Sequence, residues 1–174
     1  LLAHRLGARD AAGAAPRIAR ADRPVAARYA ILAIAASHGT MVAVMAMTPV
    51  HLVHHGASLT IVGLTISLHI AGMYALSPVF GILADRIGRV ATVLLGQGLL
   101  AASLLVSGLG QSSNTAVTIG LVLLGLGWSA STVAGAALLV ETSSEAMRTR
   151  RQGRSDLAMN LVGAAGAILA GVIL

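Results

Sequence analysis

The chain has 174 residues, of which 56% are hydrophobic and only 10% charged, with a mean hydropathy of +0.85, a balance that excludes a soluble globular domain. A formal net charge of +6 raises the question of nucleic acid, which the placement of the basic residues decides below, and the absence of cysteine excludes disulfides and thiolate metal sites.

Residues 1–28 hold Ala, Arg and Gly without an apolar core, so they read as a flexible, Arg-rich cytoplasmic linker and not as a signal peptide. Five apolar stretches follow, at about 29–50, 59–83, 90–109, 116–140 and 157–174. Each has the roughly 20 residues that a hydrocarbon core about 30 Å thick requires of a helix. Polar–apolar alternation is absent and Ala and Leu are abundant, so the spans are helices and not barrel strands. The fold class is an all-α membrane protein, a polytopic bundle of five transmembrane helices. Glycines inside the spans, as at Gly63, Gly72, Gly81, Gly120, Gly163 and Gly171, let helices approach closely where no hydrophobic force drives them together.

The first span carries His38, about 13 Å from its inner end at 1.5 Å per residue, and Pro49 near its outer end. The outer loop His51-Leu-Val-His54-His55 offers two imidazoles on one helical face but no third ligand, so it reads as a polar turn, and no metal or cofactor is expected. The second span carries His69, about 15 Å from its outer end, and Ser77-Pro78, which permits a bend. The fourth holds Trp128, the only Trp, away from the interfacial belt where Trp is usually enriched. All twelve basic residues are Arg, in three clusters: Arg5 to Arg28, Arg86 with Arg89, and Arg148 to Arg154. The loops at 51–58 and 110–115 have none. This is the positive-inside asymmetry of a multispan protein, with the Arg-rich loops cytoplasmic, and it argues against a nucleic-acid partner.

Between the second and third spans lies Gly81-Ile-Leu-Ala-Asp85-Arg86-Ile-Gly88-Arg89. This segment resembles the cytoplasmic signature loop of the major facilitator superfamily of secondary transporters, matching at Gly81, Leu83, Asp85, Arg86, Gly88 and Arg89. Val90 departs from the pattern, where a second basic residue is usual. Gly125-Leu-Gly127-Trp128, Leu138-Leu139-Val140-Glu141, Gln152-Gly153 and Asp156 resemble the tenth and eleventh spans of a bacterial branch of the family, which usually has Asn where this chain has Ser129. The resemblance covers about 29–174 and implies two six-helix halves around a central cavity. The Arg-rich opening and the lack of an Arg in the fourth span favour the second half, spans seven to eleven of twelve. Leu1 is not an initiator Met and Leu174 lies within an apolar run, so the chain reads as a fragment lacking the first half and the final span.

Several residues are then candidates for function. Asp85 is expected near the unsatisfied N–H groups of the third span's helix, a favourable place for a carboxylate. Arg89 or Arg86 is expected to pair with Glu141, just past the fourth span on the same membrane face, as a latch of one transport state. His38 and His69, on antiparallel helices, are both expected near the bilayer midplane as a proton or substrate site, against the alternative that Ser37, Thr40, Thr65 or Ser67 satisfies them. Trp128 either lines the cavity or packs between helices. The resemblance implies movement of a small solute or drug by alternating access in a bacterial-type inner membrane, with proton-coupled export leading and proton symport next. Outside that class stand a membrane-embedded scaffold or sensor, and an enzyme using a metal on the two histidines, which lacks an intramembrane carboxylate as base.

Overall fold

The computed structural model describes residues 21–173, so most of the expected linker lies outside the described residues. Local chemistry sets the helix boundaries. Pro24 opens the first turn of α1 (Pro24–His54), where its missing N–H has no partner to lose. Ser58 and Ser113 accept from the N–H groups of Ile61 and Ala116 and so cap α2 (Leu59–Tyr74) and α5 (Asn114–Glu141). Between α3 (Ser77–Ile87) and α4 (Arg89–Leu109) stands Gly88, with a φ of 96° that a Cβ would oppose. The last helix is α6 (Glu145–Ile173).

Helices α2 and α3 together make one segment, Leu59–Ile87, so five helical segments are long and apolar enough to cross a membrane. The bend expected at Ser77-Pro78 is a true interruption. Pro78 has no N–H for the carbonyl of Tyr74, four residues back, and the Ser77 hydroxyl takes that carbonyl instead at 2.8 Å. By contrast, α1 runs through Pro49 unbroken. Two helices outrun their apolar stretches: α1 begins at Pro24 and not Tyr29, and α6 at Glu145 and not Leu157. Arg148 to Arg154 are therefore helical.

Helix α5 lies at the centre, against α4, α2 and α1, while α6 packs mainly on α1. Glycine placement explains how one helix serves so many neighbours. At 100° per residue, Gly125 and Gly127 point about 200° apart, and Gly120 and Gly127 fall within about 20° of each other. A Cβ on Gly125 would meet the backbone of His69, Gly72 and Met73 in α2. One on Gly127 would meet the Gly96 carbonyl of α4 at 2.8 Å, and one on Gly120 the Ser103 carbonyl at 3.3 Å. The crossings are reciprocal, since a Cβ on Gly72 would lie 3.1 Å from the Val122 carbonyl of α5. The buried interior is correspondingly small and hydroxyl-rich, with Ser37, Thr65, Thr92, Ser103, Ser129 and Ser131 all enclosed. Leu59, Leu64, Leu105, Ile168 and Val172 are exposed, as suits a hydrocarbon surrounding.

Candidate functional site

At the Arg-rich end, the α3–α4 turn meets the end of α5. Arg89 Nη1 donates to Glu141 Oε2 across helices, and Arg89 Nη2 lies 3.7 Å from Asp85 Oδ1. Of the two arginines expected to pair with Glu141, the structure selects Arg89. Arg86 lies exposed in the last turn of α3 without an ion pair among the described residues. Asp85 is placed otherwise than expected. It stands in the last turn of α3 and makes no cap for α4, whose N-cap is Gly88 with no side-chain hydrogen bond. Carboxylates are unfavourable at a helix C-terminus, and the neighbouring Arg89 guanidinium offsets that. Gly81 faces Val133 of α5 at ordinary contact distance.

A second network at this end has no counterpart in the sequence reading. Arg151, buried in the first turns of α6, donates to the Thr142 carbonyl and the Ser143 hydroxyl, both at 3.2 Å, and so closes the C-terminal end of α5. Its Nη2 also bonds Asp22 Oδ2 at 2.7 Å, and Asp22 Oδ1 accepts from the Ser144 N–H at 3.0 Å. The Arg23 N–H donates to the Thr142 carbonyl at 2.9 Å. The approach to α1 is thus fastened to the α5–α6 turn. Arg151 lies among three other arginines within a stretch that sequence patterning marks only as charged, so nothing in the pattern distinguishes it.

The Ser144 N–H, and after it the Arg151 guanidinium, hold the Asp22 carboxyl below its ordinary pKa. A depressed folded-state pKa contributes stability that is present above the unfolded-state value, about pH 4, and is lost as pH falls through the folded-state value. We expect Asp22→Asn to lower the thermal midpoint at pH 7, with the gap to the parent closing as the pH is brought below the ordinary carboxylate range. Thermal scans across that range check it, and a gap that persists at low pH rules out the charge-assisted contact.

The intramembrane candidates separate into two environments. His69 of α2 is buried, with Nδ1 at 2.8 Å from the Leu121 carbonyl of α5. A carbonyl only accepts, so Nδ1 carries the proton and the Nε2 lone pair is left buried without a partner. His38 of α1 is half-buried, and its Nδ1 accepts from Trp128 Nε1 at 3.2 Å. An indole only donates, so His38 carries its proton on Nε2, the opposite tautomer. The two histidines therefore belong to different helix contacts. Neither is satisfied by the hydroxyls expected to do so: Ser37 bonds Ala33 and Gln97, Ser67 bonds Gly63, and Thr65 bonds Thr118.

Trp128 lies between His38 and Tyr74, with ring centroids 6.3 Å and 6.1 Å away. Sequence reasoning missed Gln97, whose amide donates to the Ala33 carbonyl at 3.1 Å and to Ser37 and Ser131 hydroxyls at 2.7 and 3.4 Å. A lone Gln in an apolar run was the available signal. The segment expected as a loop is partly helical: His51 and His54 lie in the last turn of α1, with His51 Nε2 2.8 Å from the Gln111 carbonyl and His55 Nδ1 2.9 Å from the His51 carbonyl. Among the described residues no three His, Asp or Glu side chains are grouped to hold a metal ion.

Five apolar helical segments, joined at one end by the Gly81–Arg89 turn and its ion pair to the next span, make an all-helical bundle of membrane-spanning length. The profile of the Major Facilitator Superfamily matches residues 29–174, and the chain belongs to that family. It is similar to two uncharacterized MFS-type transporters of Bacillus subtilis (strain 168), YddS at 42% and YdeG at 45% identity, each over 134 residues. Those alignments cover 76% of this chain and 31% of each relative. It is 31% identical over 147 residues to the riboflavin transporter RfnT of Brucella anthropi, covering 83% of this chain and 37% of that protein. The chain therefore spans about a third of the length of the curated relatives it matches. No solved structure matches it.

Proposed function

We propose that this chain forms most of the second half of a secondary active transporter in a bacterial inner membrane, moving a small solute by alternating access coupled to protons. The Arg-rich ends face the cytoplasm, and export by proton exchange is the favoured direction. The Arg-rich approach to α1 and the Gly125–Trp128 run support the half assignment. The riboflavin transporter among the relatives supports a small organic solute.

The observation that carries the reading is the Arg89–Glu141 pair, which joins the signature turn to the end of the central helix. A contact at one face of the bundle, between helices that must part or rotate if that face opens, biases which state is populated. Exposed pairs are worth up to about 1 kcal/mol, which is about fivefold in a two-state population. We therefore expect Arg89→Glu and Glu141→Arg each to lower solute flux in proteoliposomes several-fold, and the double reversal to restore most of it. Single reversals that cripple flux with no rescue in the double variant sink the latch.

His69 is the better proton carrier of the two histidines. Protonation at its free Nε2 leaves the Leu121 bond intact, whereas a proton on His38 Nδ1 displaces the Trp128 bond.

A further inference from the structure

We propose that the cavity between the Arg-rich ends of α1 and α6 binds an anionic phospholipid, with Arg28 and Arg154 on its phosphodiester. The inference goes beyond transport and needs only the membrane-spanning bundle.

A Cβ on Gly163 would meet His38 and Val42, and Gly171 faces Met47, so α1 and α6 run parallel from the Arg-rich end. Where both helices start, a cavity of about 670 Å³ opens between them. Its walls are sorted by depth. Arg28 of α1 is followed on the wall by Ile31 and Leu32, and Arg154 of α6 by Ala158. Three or four residues at 1.5 Å each put the apolar atoms about 5–6 Å deeper than the guanidinium-bearing positions. The arginines also stand where the apolar stretches begin, Arg28 beside exposed Tyr29 and Arg154 three residues before exposed Leu157. A charged layer followed one helical turn deeper by hydrocarbon is the order in which a membrane lipid presents its own parts.

The charge is unbalanced in one direction. Three arginines against one aspartate leave the cavity an excess of two positive charges. Arg151 is already engaged, by Asp22 and by the Thr142 carbonyl and Ser143 hydroxyl, and Asp22 is held in turn by the Ser144 N–H. Arg28 and Arg154 are exposed and make no ion pair among the described residues. A guanidinium fork matches phosphate oxygens in plane. A phospholipid with an uncharged headgroup brings one net negative charge to this excess, whereas choline or ethanolamine would add a cation to it. A soluble phosphate would satisfy the arginines and leave Ile31 and Leu32 uncovered, which is why the lipid is the better occupant.

The test uses the full-length protein in micelles of an uncharged detergent, titrated with phosphatidylglycerol or with phosphatidylcholine of the same acyl chains. Native mass spectrometry counts the bound lipid. We expect the first phosphatidylglycerol to bind at least about tenfold more tightly than the first phosphatidylcholine. Arg28→Gln and Arg154→Gln should each weaken phosphatidylglycerol about fivefold. Both change exposed side chains, and unaltered phosphatidylcholine binding identifies the variants as folded. Arg86→Gln removes the same charge at the same end of the bundle but outside the cavity, and should stay within about twofold of the parent. Glycerol 3-phosphate, a phosphate headgroup without chains, should not displace the lipid at millimolar concentration. The proposal is overturned if the two lipids bind equally, if the cavity variants bind as the parent does, or if Arg86→Gln weakens binding as much as they do. Displacement by glycerol 3-phosphate also overturns it and reassigns the cavity to a soluble phosphate. Lipid binding is read without flux, so its failure leaves the Arg89–Glu141 latch standing, and failure of the latch leaves this test readable.

Discussion

Replacing Gly125 with valine is expected to leave little folded protein in the membrane. The reason is the kind of atom it would strike. A Cβ at Gly125 meets the backbone of α2, including the His69 carbonyl, the Met73 nitrogen at 3.1 Å and the Gly72 carbonyl carbon at 3.3 Å. A side-chain tip can rotate away, but a helix backbone moves only as a whole, and α2 is already bonded to α5 through His69–Leu121 and Thr65–Thr118. Overpacking of a well-packed interior costs about 1–3 kcal/mol where side chains yield, and backbone collisions belong at or above the top of that range. Gly98→Ala is the matched control. Nothing lies within 4 Å of its Cβ direction, and alanine is a better helix former than glycine by about 1 kcal/mol. Fluorescence-detected size exclusion after heating should therefore show Gly125→Val aggregated or absent and Gly98→Ala at or slightly above the parent. Equal survival of the two variants contradicts the reading of the α2–α5 crossing.

The same glycines show what sequence makes legible and what it does not. The five spans follow from composition alone, because length and hydropathy are properties of each segment by itself. The Arg89–Glu141 contact was also accessible, since both residues fall at span ends on one face. Which glycines sit at crossings was not. Gly72, Gly120 and Gly163 face close neighbours, yet Gly63 has nothing within 4 Å and Gly171 meets only Met47 at 3.8 Å. Small residues permit close approach everywhere, and only the partner helix decides where it happens. The Asp22–Arg151 clasp joins residues 129 positions apart and was hidden for the same reason. The histidine partners illustrate the limit most plainly. Hydroxyls nearby in sequence were the natural candidates, but on a helix they bond their own carbonyls four residues back, as Ser37 does with Ala33 and Ser67 with Gly63. The imidazoles were left to find partners on α5.

That pairing gives the proposed proton coupling its sharpest consequence. His69→Gln keeps an amide N–H able to donate to the Leu121 carbonyl, so the α2–α5 contact is retained, but the amide cannot take up a proton near neutral pH. A gradient of one pH unit carries about 1.4 kcal/mol per proton and so supports up to about tenfold accumulation of solute. Under the proposed coupling, proteoliposomes of the parent should approach that ratio, and those of His69→Gln should not rise above equilibration. Solute–solute exchange, which needs no net proton movement, should stay within about threefold of the parent because the Arg89–Glu141 pair is untouched. If His69→Gln accumulates solute as the parent does, the coupling proton is carried elsewhere, and the unpartnered Nε2 is a feature of packing alone.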